Sequence, residues 1–207
     1  MSSDAPLDEL RPYRVFLNIP FDRRRRKIYL ALISGLTALG LEPKSVAELR
    51  SRDRLTRLSA LIDQCAYSFH DLSHLTLSGR NRRLNMPFEL GLVIGRYGPA
   101  NEKHPWFVFE RKKYSLQGLV SDLGGYEFFV HGGTPNGVFR VLTDIFHKPG
   151  IGEQEMSEVY DELNLFVDTR WPEKQAELYS GGAFRDLVYA AASSADRRRE
   201  AKTHNAS

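Results

Sequence analysis

The residues whose types and spacing could do chemistry gather between Asp71 and Gly95. Asp71-Leu72-Ser73 is followed by a polar, arginine-bearing loop and then by Asn85-Met86-Pro87-Phe88-Glu89-Leu90-Gly91-Leu92-Val93-Ile94-Gly95. Between Met86 and Gly95 every residue except Glu89 is apolar, proline or glycine. Such surroundings desolvate a carboxylate and raise its pKa, as acid, base or nucleophile work requires. The competing reading is helix capping. With Pro87 at N1, Glu89 is N3 and can reach back to the helix end for about 0.3–1 kcal/mol. The cap would then be Met86, which has no side-chain oxygen. With Asn85 as the cap, Glu89 is N4 and out of capping register. The balance favours a functional Glu89.

Asp71 reads equally as a strand-end residue bonding nearby backbone N–H groups and as an acceptor for a ribose or base. Asn18 and Asn85 carry amides suited to a sugar or base, and both also suit turns and caps. Ser73 reads as a loop hydroxyl rather than a nucleophile, because no histidine is placed to argue for a base. His70 and His74 straddle a strand end, so their spacing does not put them on one helix face, and no metal site is expected. There is no G-x-G-x-x-G after the first strand and no Walker motif, which disfavours a dinucleotide-binding Rossmann domain and a P-loop NTPase. No serine sits in a G-x-S-x-G elbow.

The elements that must position these residues alternate. Arg14 to Phe21 reads as a buried first strand, with Asp22 capping a helix through Ile28, Leu32, Ile33, Leu36 and Leu39 that Gly40 stops. Leu41 to Val46 is a weak second strand. Asp53 caps a second helix with inner face Leu55, Leu58, Leu61, Ile62 and Cys65. Tyr67 to Leu72 is a third strand, followed by a helix over Pro87 to Tyr97. Trp106 to Phe109 is a fourth strand, Leu116 to Leu123 a short helix, and Tyr126 to Val130 a fifth strand. Thr134-Pro135 then opens a helix with Val138, Val141, Leu142 and Ile145 on one face. Strand–helix alternation five times over predicts an α/β fold. The expected sheet is flavodoxin-like, five-stranded and parallel, in the order 2-1-3-4-5, with helices on both faces and a C-terminal helical extension. The domain boundaries expected are 11–148 for the α/β domain, 151–192 for the extension and 193–207 for a disordered tail. The extension carries two helical stripes, Met156 to Val167 and Phe184 to Ala191.

In such a sheet, ligands bind beyond the carboxyl ends of the strands where the order reverses, here between strands one and three. The segments at that crevice are Asn18 to Arg26 and Asp71 to Glu89. Both carry arginines and run into helix N-termini, which favour anions. Arg23, Arg24, Arg82 and Arg83 are therefore expected to bind phosphate. The 207 residues hold 29 Lys+Arg against 26 Asp+Glu, a net charge of +3, too small a bias for a nucleic-acid partner to be expected. No apolar run approaches the ~20 residues of a membrane span, and the first ten residues lack a secretory apolar segment. A single cysteine excludes an intramolecular disulfide, so a cytoplasmic location is expected.

The run Phe69-His70-Asp71-Leu72-Ser73, then Asn85-Met86-Pro87-Phe88-Glu89-Leu90-Gly91, resembles the Asp-Leu-Ser/Thr … Asn-Val-x-Tyr/Phe-Glu-Leu-Gly signature of nucleoside 2-deoxyribosyltransferase-like proteins. These are close in fold to the TIR-like domains that cleave nicotinamide dinucleotides. The resemblance extends from Arg14 to about Lys148, and its specific part is Asp71 to Gly91. It implies that Glu89 is the nucleophile attacking an anomeric carbon, with Asp71 contacting the ligand. It also implies that Asn18, Pro20 and Phe21 line the base and sugar pocket, with Ser73, Asn85 and Met86 beside them. The loop from Ser73 to Leu84 is longer and more basic than in the small nucleoside enzymes, which fits a phosphate-bearing substrate. The function expected is an N-glycosidase or glycosyltransferase acting on a nucleoside, nucleotide or NAD as substrate, with no cofactor, in bacterial (antiviral) defence or signalling. The alternative is a non-catalytic nucleotide sensor signalling through its C-terminal helices, which also offer a homo-oligomer contact.

Overall fold

Short apolar and aromatic runs make the strands. A computed structural model describes residues 13–49, 52–73, 75, 85–99, 104–116, 121–123, 125–172 and 177–205. It contains β1 (Arg14–Asn18), β2 (Glu42–Lys44), β3 (Tyr67–Asp71), β4 (Trp106–Glu110) and β5 (Phe128–Val130). They form one parallel sheet in the order β2-β1-β3-β4-β5, the flavodoxin-like order expected from the alternation. The register pairs Asn18 with His70, His70 with Val108 and Asp71 with Phe109. The helices are α1 (Arg26–Ala38), α2 (Arg54–Asp63), α3 (Asn85–Tyr97), α4 (Pro135–Ile145), α5 (Glu153–Arg170) and α6 (Gly181–Asn205). Among the described residues, no helix is long and apolar enough to cross a membrane.

Two compact units divide the chain: residues 1–20 with 44–132, and residues 21–43 with 133–207. The first unit holds β1, β3, β4, β5, α2 and α3. One face of its sheet stacks Phe69 on Phe109 at 5.4 Å between ring centroids, with Phe107 and Phe129 alongside. On the other face, Met86 and Leu90 of α3 join Leu72, Val108, Leu116 and Leu123 in one buried cluster. Near their C-terminal ends, α2 and α3 are tied by the Arg96 guanidinium, which makes two hydrogen bonds to the Asp63 carboxylate. The Tyr97 hydroxyl donates to the same carboxylate at 2.6 Å.

The second unit packs α1 with α4, α5 and α6. Thr134 caps α4, accepting from the Gly137 N–H at 3.1 Å, with Pro135 at N1. At the other end of α1, Leu41 N donates to Leu36 O and Gly40 N to Thr37 O, with Gly40 at φ +81°. This is the 6→1 and 5→2 pairing that a left-handed glycine allows. Cations complete that end: Lys148 donates to Leu39 O at 2.7 Å, and Arg199 to Ala38 O at 3.0 Å.

The structure corrects three local expectations. Asp53 occupies the N-cap position of α2 at φ 53° but makes no side-chain cap bond. Leu55 is 54% exposed, off the inner face that Leu58, Leu61, Ile62 and Cys65 form. The stretch from residue 193 is helical through Asn205, where a basic, polar composition reads as disorder. Its charges have partners: Arg198 bonds Glu158 and Glu162, and Lys202 bonds Glu155, all on α5. Ala191, Ser194 and Ala195 are buried beneath them.

Within this unit α1 sits very close to its neighbours. A Cβ added at Gly35 would lie 2.5 Å from Leu142 Cδ1 and 3.5 Å from Met156 Sδ. Gly35→Val is therefore expected to lower stability by about 1–3 kcal/mol through overpacking, seen as a lower urea midpoint at unchanged slope. An unchanged midpoint would show that α1 has room to move.

Candidate functional site

Apolar strands end in polar residues at the carboxyl edge of the first unit's sheet. β1 ends at Asn18, β3 at His70-Asp71 and β4 at Glu110, and His131 follows β5. All five are almost fully buried. Buried polar groups must be hydrogen-bonded, and following their bonds separates two constellations.

The first lies under α3. Asn18 spends both amide hydrogens within the fold, donating to His70 Nδ1 at 2.9 Å and to the Met86 carbonyl at 2.9 Å. Accepting at Nδ1 fixes His70 as the Nε2–H tautomer, and that Nε2 is buried without a partner. Burial and the nearby His104 push the His70 pKa down to about 3, so the ring is neutral at physiological pH. His104 itself bonds Ser68 at 2.6 Å and stacks on Tyr97.

Glu89 belongs to the same helix face as Met86, three residues on. α3 begins at Asn85 and has no acidic residue in its first turn, so Glu89 lies beyond capping reach. Capping therefore does not explain this glutamate. Glu89 is only 5% exposed, and its Oε2 is buried without a partner. Burial pushes its pKa up to about 7, against the partial opposing pull of the Arg54 charge. A carboxylate in this state interconverts between acid and base near neutrality.

The second constellation surrounds Asp71. Successive strand residues face opposite ways, so His70 turns toward α3 and Asp71 away from it. Ser73 N donates to Asp71 Oδ1 at 3.0 Å, Ser73 Oγ lies 2.7 Å from His131 Nε2, and that nitrogen lies 3.6 Å from Asp71 Oδ1. Burial alone would raise the Asp71 pKa, but bonds from His131 and Ser73 outweigh it and hold the carboxyl below its ordinary value. Among the described residues no hydrogen bond or ion pair joins Asp71 to Glu89.

The other expected site residues fall as follows. Pro20 is buried, Asn85 is exposed at the start of α3, and Met86 contributes its carbonyl to Asn18. Phe21, Arg23 and Arg24 belong to the second unit. There Phe21 packs edge-on against Tyr29, and Asp22 caps the turn of Arg23 and Arg24 by accepting from Arg24 N at 3.0 Å. Arg82, Arg83 and His74 lie outside the described residues. No group of metal-ligating side chains is present among the described residues.

His131, Glu110 and Arg54 escaped the sequence reading. His131 and Glu110 carried one usable signal: each is polar and stands at the carboxyl end of an apolar strand. Glu110 is structural, accepting from Tyr114 N, Ser115 Oγ and Leu116 N to close the turn after β4. Compared with known proteins, the chain matches no family, no characterised protein and no solved structure.

The Glu89 environment sets a pH signature. Its folded pKa of about 7 stands above the ordinary 4.5, so between these values the folded state holds more protons than the unfolded one. Stability is therefore lost as pH rises through that window. Glu89→Gln removes the penalty, and the stability of the variant relative to wild type should grow by about 1–3 kcal/mol from pH 4.5 to pH 8. Urea unfolding across the window measures it, and a flat difference would mean Glu89 is solvated.

Proposed function

We propose that the protein is an N-glycosidase or glycosyltransferase of nucleosides, nucleotides or a nicotinamide dinucleotide, with Glu89 as its nucleophile. The observation that carries this reading is the burial of Glu89, unpaired at Oε2 and with its pKa near neutrality, on a helix beginning at the carboxyl edge of a parallel sheet. The motif resemblance to nucleoside 2-deoxyribosyltransferase-like proteins, and through them to TIR-like domains, names a reaction that needs such a group.

In that reaction the Glu89 carboxylate attacks the anomeric carbon as the glycosidic C–N bond breaks. The base leaves with the bonding pair: a nucleoside base takes up a proton, whereas the cationic nicotinamide ring departs neutral without one. The resulting glycosyl ester passes to water or to an acceptor base, restoring the carboxylate. Partial desolvation supports the role, because a poorly hydrated carboxylate is the better nucleophile once ionised. Asp71, held ionised by Ser73 and His131, is suited to accept a hydrogen bond rather than to deliver a proton. A role in bacterial defence or signalling belongs to this reading.

A second reading is a nucleotide-binding module without turnover that signals through its C-terminal helices. It is favoured by a groove of about 480 Å³ between α5 and α6, lined by Phe166, Tyr189, Arg170 and Arg197 among others, with Tyr189 76% exposed. A second copy of the chain is the partner this surface would suit.

Incubating the protein with a panel of nucleosides, nucleotides and NAD and assaying released base separates the two. Wild type is expected to release base, with activity rising as pH passes through about 7 as Glu89 ionises. Glu89→Gln is expected to lose 10³-fold or more, roughly the cost of deleting a nucleophile. Equal ligand binding by both forms with no release would instead establish the sensor.

A further inference from the structure

We propose that His131 is a positioning residue for the exit of β3, its Nε2 edge clamping the Ser73 hydroxyl and the Asp71 carboxylate in one arrangement. The proposal rests on the glycosidic reading, since the chain leaving Ser73 leads into the helix that carries Glu89.

The geometry distinguishes a clamp from a relay. In a nucleophilic Ser-His-Asp relay the serine and the aspartate meet different ring nitrogens of the histidine. Here both meet the same one, Nε2, at 2.7 Å to Ser73 Oγ and 3.6 Å to Asp71 Oδ1. One nitrogen cannot take a proton from the serine while passing charge to the aspartate through the far side of the ring. It can donate N–H to the Ser73 oxygen while facing the Asp71 carboxylate at electrostatic range. Asp71 itself accepts from Ser73 N, and the carboxylate and the imidazole beside it are each 2% exposed.

The neighbouring carboxylate, Glu110 at the end of β4, is spent on the turn at Tyr114 to Leu116 and offers Asp71 no proton. His131 N donates to Glu110 O at 3.1 Å, which pins the backbone from which the imidazole projects. β4 lies between β3 and β5, so the clamp reaches across it from the end of β5 to the end of β3. It fixes Ser73, from which the chain continues toward α3. Misplacing a reacting group by about 1 Å can cost on the order of 10²-fold in rate, which is the scale of effect available to this residue.

The test combines NMR with the base-release assay on the full chain. In wild type, ¹⁵N spectra of the His131 imidazole should show the Nε2–H tautomer, and an Nδ1–H ring would overturn the clamp without any variant. In His131→Leu, the ¹³C-detected titration of the Asp71 carboxylate should move up, and His131→Gln, which keeps an amide donor near Nε2, should recover part of the shift. An Asp71 titration unchanged in His131→Leu would overturn the proposal. With released base as readout, kcat should fall about 10- to 100-fold in His131→Leu with KM nearly constant, and recover in part in His131→Gln. If wild type releases no base, the glycosidic reading fails, and the Asp71 titration still decides the clamp.

Discussion

The Asn18 amide is the constraint on which the candidate site depends. It is 1% exposed, and its two hydrogens join three elements: its own strand, His70 on the neighbouring strand, and the first turn of the helix that carries Glu89. A buried amide left unpaired costs about 1–3 kcal/mol per group, so β1, β3 and α3 are held in one relation by the need to satisfy it. The same bond sets the His70 tautomer. A residue type that reads from sequence as a ligand contact is thus consumed in building the place where a ligand would sit.

Two acids, Asp71 on β3 and Glu89 on α3, then acquire opposite characters from their surroundings. Asp71 meets Ser73 and His131 and is held ionised, while Glu89 is buried with only the Arg54 charge opposing and is pushed toward protonation. Pairs of titratable groups driven apart by their surroundings mark a division of roles. The division also divides the stability of the unit. The neutral, buried His70 costs stability as pH falls below 6.5 toward its folded pKa of about 3, because the unfolded ring gains the proton first. Glu89 costs stability as pH rises above 4.5. Between about pH 4.5 and 6.5 the two slopes oppose, so the first unit is buffered there and exposed to Glu89 alone at higher pH.

The sheet order was legible because five apolar runs alternate with helical stripes, and parallel crossovers leave few topologies. Glu89 was legible because a charge inside an apolar helix is conspicuous. The bonds that decide roles were not legible. They link Asn18 to His70 and Met86, and Asp71 to His131, across many residues of chain, and composition carries no trace of such pairings. The last helix was misread for the same reason. Arg198 and Lys202 look like a solvated tail until Glu155, Glu158 and Glu162 of α5 are placed opposite them.

An unpaired, desolvated carboxylate is a fault in any ledger of stability, and the fold contains simple remedies. A glutamine at residue 89 would remove the charge, and a leucine would continue the apolar face that Met86, Leu90 and Val93 already form. The chain instead keeps an ionisable group at a position where burial raises its pKa to about 7. A buried group with a strongly perturbed pKa is a functional-site candidate on physical grounds. Glu110 shows the contrast within the same sheet: equally buried, it receives three donors and serves a turn. The difference between a carboxylate that is bonded and one that is left wanting a partner singles out Glu89, more firmly than its place in a motif does.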